Sequence, residues 1–83
     1  MPARPRRIAA RPDPAHWGPD ELMTLDEAVA LFWPDGPLTR SSLRTAYREG
    51  ILETAMIARK LLVTKRGLAA MVEVCRRSAG DRP

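Results

Sequence analysis

Ser41, Arg44, Thr45 and Arg48 recur at i, i+3, i+4 and i+7, the spacing of one helix face. Arg40 stands at the start of the same stretch and Ser42 lies within it, while Leu43, Ala46 and Tyr47 fall on the opposite side. One face is therefore apolar and the other offers guanidinium groups and hydroxyls. A guanidinium forks onto guanine O6 and N7, and a hydroxyl reaches a phosphate or a base edge. Such a helix fits the major groove of duplex DNA. A solvated helix face is the plainer reading of the same residues.

Further cations follow. Arg59 and Lys60 sit at the tip of an expected hairpin, where they can reach phosphates or the minor groove; a solubilising loop is the alternative. Lys65 and Arg66 open the next helix, where the dipole disfavours cations, so a nearby phosphate would explain them. Arg4, Arg6 and Arg7 lie among prolines, as a minor-groove arm or as a solubilising tail. The chain has no Asn and no Gln, the side chains that read adenine bidentately. Direct base reading then rests on guanine contacts by Arg40, Arg44 or Arg48, with DNA shape supplying the rest.

The elements that must position these residues are marked by three threonines. Thr24, Thr39 and Thr64 each have the character of a helix N-cap. Each follows an apolar residue and precedes another at the staple spacing, and Thr24 with Glu27 matches a capping box. A first helix is expected over 25–32, with Leu25, Ala28, Val29 and Phe32 as its stripe. Pro34-Asp35-Gly36-Pro37 makes a turn, and a second helix runs over 40–49 with Gly50 closing it. Residues 52–57 and 61–63 read as two short strands with a basic tip. A third helix covers 65–77 and buries Leu68, Met71, Val72 and Cys75. Five of the eight prolines fall before residue 20, so residues 1–19 read as an extended or disordered arm, with Trp17 docking back onto the domain or meeting a neighbour. The division is an arm at 1–21, a domain at 22–78 and a tail at 79–83.

Eighty-three residues hold one small domain. The net charge of +4 conceals a segregation. Residues 1–11 hold four arginines and no acid, 12–35 hold six acids and no Lys or Arg, and 40–77 hold nine bases against three acids. Charge arranged in this way speaks of partners. One cysteine excludes an internal disulfide, and one histidine with it makes no zinc site. No nucleophile–base pair, metal set or Gly-rich phosphate loop is present, so neither enzymatic activity nor a cofactor is expected. Membrane spans and a cleaved leader are not expected either, and the setting is taken as the bacterial cytoplasm, at the nucleoid.

Met23-Thr24-Leu25-Asp26-Glu27-Ala28-Val29 resembles the opening of excisionase-type DNA-binding proteins, a group similar to MerR-type domains. Leu38-Thr39-Arg40-Ser41-Ser42-Leu43-Arg44 and Arg48-Glu49-Gly50-Ile51-Leu52 resemble their second helix and its end. Ile57-Ala58-Arg59-Lys60 and Leu62-Val63-Thr64-Lys65-Arg66 resemble the wing and the start of the following helix. The resemblance implies a mainly α winged helix-turn-helix, with three helices and a two-stranded wing. It also implies a recombination directionality factor, which binds and bends attachment-site DNA cooperatively and directs a partner integrase toward excision of a mobile element. Ala58 departs from the pattern where the wing has Gly, and the Pro34–Pro37 linker is longer than the usual turn. A small transcriptional regulator of a phage or integrative element shares the fold. An antitoxin-like or adaptor module is the alternative of another class. The acidic stretch suggests head-to-tail association on DNA, acid to base, or simply caps and solvates its own helix.

Overall fold

The computed structural model describes residues 5–80. Arg4 and tail residues 81–83 lie outside it. The described chain is a small mixed α/β unit of four helices and a three-stranded antiparallel sheet. The helices are α1 (Arg6–Ala10), α2 (Leu25–Phe32), α3 (Arg40–Arg48) and α4 (Lys65–Gly80), and a 3-10 turn covers Pro14–His16. The strands are β1 (Met23–Thr24), β2 (Ala55–Ile57) and β3 (Lys60–Val63), in the order β1-β3-β2.

All three threonines act at helix starts. Thr24 Oγ1 accepts from the Glu27 N–H at 3.1 Å, and the Glu27 carboxylate accepts from the Thr24 N–H at 2.8 Å. At α3 the box is closed by a hydroxyl: the Ser42 N–H donates to Thr39 Oγ1, and the Thr39 N–H donates to Ser42 Oγ. Thr64 Oγ1 accepts from the Gly67 N–H at 3.0 Å. Each bond satisfies a donor that the helix leaves orphaned. Gly50 ends α3 at φ +75°, a conformation costly for any residue with a Cβ.

The sheet is larger than a two-stranded hairpin. Met23 and Thr24 pair with Val63 and Leu62, which makes β3 the central strand. On its other side, Ala55, Met56 and Ile57 pair with Leu62, Leu61 and Lys60. Residues 52–54, expected as strand, instead lead into it, with Leu52 in the core. Lys60 belongs to the strand and not to the tip.

Three helices were expected and four are present, because the amino-terminal stretch is folded from Pro5 onward. Its prolines stand where a helix tolerates them. Pro5 precedes α1, and Pro14 opens the 3-10 turn, positions whose N–H has no intrahelical partner. Ile8 and Trp17 are fully buried in the core with Met23, Leu43 and Val63. Residues 5–21 are thus packed structure, not an extended or disordered arm, and Trp17 docks onto its own domain.

Two expected burials also fail. Tyr47 is half-exposed, and Cys75 is exposed. Only the first half of α4, through Leu68 and Met71, covers the core. At about 1.5 Å per residue the remainder runs past it, with Val74 and Cys75 in the open.

Candidate nucleic-acid interface

The start of α2, the start of α3 and the β2–β3 hairpin enclose a concavity of about 330 Å³. Arg40 and Arg44 line it from α3, Arg59 and Lys60 from the hairpin, and Thr24, Leu25, Asp26 and Leu61 complete it. Four cations from two separate elements thus converge on one hollow. One acid sits among them: Asp26 Oδ2 lies 3.9 Å from Arg40 Nη1.

Local geometry explains the convergence. Arg40 and Arg44 are one helical turn apart on α3, whose other face is pinned by the fully buried Leu43. At the hairpin tip, Ala58 and Arg59 both have positive φ, 51° and 67°. A two-residue turn of this kind matches the twist of the flanking strands. It is closed by the Ile57–Lys60 pair, and it places Arg59 and Lys60 at the end of the sheet.

The remaining candidates divide. Ser41 and Arg48 are exposed on α3, with Arg48 one turn beyond Arg44. Ser42 and Thr45 line a different depression, an apolar groove of about 450 Å³ between α3 and α4 with Leu38, Ala46, Met71 and Val72. The Ser42 hydroxyl is committed to its cap. These two side chains therefore do not join the basic hollow.

Lys65 and Arg66 have partners within the chain. Lys65 Nζ donates to the Pro14 and Trp17 carbonyls at 3.0 and 3.4 Å. Arg66 donates from Nε and Nη2 to the two oxygens of Asp20 at 2.9 and 3.1 Å. Their unfavourable place at a helix start is explained by the returning amino-terminal segment, without a phosphate. Arg7 is engaged likewise: Nη1 donates to Glu27 Oε1 at 3.2 Å and Nη2 to the Leu22 carbonyl at 3.0 Å. Arg6 is exposed on α1.

The residue that sequence reasoning passed over is Arg11. Its guanidinium lies over the Trp17 ring, 3.9 Å from the centroid, and pairs bidentately with Glu21. That bond, followed by one from the Gly18 N–H, holds the Glu21 carboxyl down at about 2. The same bond raises the Arg11 pKa above its ordinary value. The i, i+4 spacing of Arg7 and Arg11, with acids at positions 21 and 27, was the available signal.

The acidic stretch is largely consumed in this way. Asp20, Glu21, Asp26 and Glu27 all face arginines of their own chain. Asp20 and Asp26 nevertheless keep well over half of their side chains exposed.

Among the described residues, no group of three or more His, Cys, Asp or Glu side chains is gathered to hold a metal ion. No helix among them is long and apolar enough to cross a membrane. Comparison with protein-family models, with curated proteins and with solved structures gave no match.

Proposed function

We propose that this chain is a sequence-specific DNA-binding protein of the winged helix-turn-helix kind. In this reading α2 and α3 form the helix-turn-helix, α3 enters the major groove, and the β2–β3 hairpin is the wing. The observation that carries it is the convergence of Arg40, Arg44, Arg59 and Lys60 on one hollow. A solvated face explains a charge on a helix or a charge on a loop. It does not explain why both point into the same space.

Arg40, Arg44 and Arg48, with Ser41 beside them, are the base-reading side chains of this interface, and Arg59 and Lys60 meet the backbone phosphates. By its resemblance the protein acts as an excisionase, bending attachment-site DNA cooperatively and biasing a partner integrase toward excision. A promoter overlapping its site would make it a regulator as well, through the same contact. No catalytic step and no cofactor enter this reading.

Binding of duplex DNA as a function of salt tests the contact. Two cations on phosphate, Arg59 and Lys60, predict a log–log slope of about −1.8. Footprinting on the DNA flanking the gene's own element, with and without an integrase, tests the role. Absence of duplex binding at low salt would return the chain to the adaptor class.

A further inference from the structure

One carboxylate lines an otherwise cationic hollow. Asp26 is exposed, as is Arg40, and their nearest approach is 3.9 Å, Arg40 Nη1 to Asp26 Oδ2, a charge contact longer than a hydrogen bond. An exposed pair of this kind adds little to stability. In a cleft for a polyanion the acid also costs affinity, because it repels the phosphates its neighbours attract. Helix α2 does not depend on it, since Glu27 in the same first turn already closes the capping box.

The contact has a directional consequence. Nη1 is the guanidinium nitrogen outside the lateral fork, and the fork consists of Nε and Nη2. This chain shows that fork in use where Arg66 grips both oxygens of Asp20 with Nε and Nη2. Asp26 therefore attracts Arg40 from the Nη1 side, without a hydrogen bond, and leaves its Nε–Nη2 edge free. Guanine presents the matching pair of acceptors, O6 and N7. A phosphate offers matching oxygens too, but its charge is opposed by the Asp26 carboxylate.

We infer that Asp26 is a positioning residue, which orients Arg40 toward a guanine edge and turns it away from phosphate. The inference rests on the DNA-binding reading and adds a specificity determinant to it.

The test compares wild type, Asp26→Asn, Asp26→Ala and Arg40→Ala. The probes are a duplex selected from a random pool, its single guanine substitutions, its 7-deazaguanine versions and an unrelated duplex. Wild type is expected to lose about five- to hundredfold at one guanine, and Arg40→Ala to abolish that loss. Asp26→Asn is expected to cut the discrimination at that guanine at least about fivefold. It should also bind the unrelated duplex about two- to fivefold more tightly, with a steeper salt slope. Unchanged discrimination in both Asp26 variants overturns the inference while leaving DNA binding intact. A lowered Tm with unchanged discrimination overturns it equally, as a purely structural role. Failure of wild type to bind any duplex at low salt overturns the DNA-binding reading itself.

Discussion

Arg11 and Trp17 hold each other from both ends. The Trp17 indole Nε1–H donates to the Arg11 carbonyl at 2.9 Å, while the Arg11 guanidinium lies 3.9 Å from the Trp17 ring centroid. Arg7 approaches the same ring at 5.0 Å. The largest buried side chain of the core is thus supplied and gripped by the segment that composition marks as least structured.

Removing that side chain should be severe. Trp17→Ala is expected to cost about 3–5 kcal/mol, a large share of the stability of a domain this small. Urea denaturation followed by circular dichroism measures it. A deletion of residues 1–17 should be at least as damaging. Retention of wild-type stability in that deletion would show that the segment is dispensable.

The Arg11–Glu21 pair makes stability depend on acid. The folded carboxyl sits near 2, below the ordinary carboxylate value of an unfolded chain. Between those values the unfolded state binds more protons, so stability rises with pH. The contribution is complete above about pH 5 and is lost as pH falls toward about 2. Glu21→Gln should lower Tm at neutral pH and flatten its fall across that window. Equal slopes for both proteins would exclude the pair as the cause.

Basic residues of similar sequence appearance should separate into two groups. Arg44→Ala is expected to weaken duplex binding and relax discrimination at a guanine, and Arg59→Ala to weaken binding and reduce the salt slope by about 0.9, each with Tm nearly unchanged. Lys65→Ala is expected to do the reverse, lowering Tm because two carbonyls lose their donor. Fluorescence anisotropy beside thermal melting resolves the two groups. A fall in affinity for Lys65→Ala as large as that for Arg44→Ala would erase the distinction.

The hairpin tip holds two residues with a Cβ at positive φ. Each such residue costs of order 1 kcal/mol. Ala58→Gly should stabilise the fold by about 0.5–1 kcal/mol, the gain being reduced by the freer unfolded chain. Arg59→Gly should also relieve the backbone but lose DNA affinity. Measured stabilities of the two variants, set beside their binding, distinguish strain from charge.

Much of the architecture was legible because it is local. Thr24, Thr39 and Thr64 mark helix starts through bonds spanning three residues, and α2 and α3 begin where those caps place them. The basic residues that gather in the hollow were legible too, since helix spacing and the hairpin position them. What failed to show depends on distant chain. Strand β1 exists only because β3, some forty residues on, offers it an edge. Lys65 and Arg66 look like free cations until the carbonyls of Pro14 and Trp17 and the Asp20 carboxylate arrive beside them. Ser42 lies among the polar residues of its helix, yet its hydroxyl is spent on the Thr39 N–H. The prolines of the first twenty residues argue against long helices, but not against one short helix and a single 3-10 turn placed after them.

Thr24 pairs with Leu62 in the sheet, caps α2 and lines the basic hollow. The hairpin wall of that hollow and the start of α2 are therefore joined at one residue, by strand pairing and by a helix cap. Parting the hairpin from the start of α2 means breaking a strand pair and a helix cap together. The spacing of those two walls is thereby a fixed gauge, and any adjustment of the hollow to a ligand falls on α3, which the 33–39 connection ties to α2.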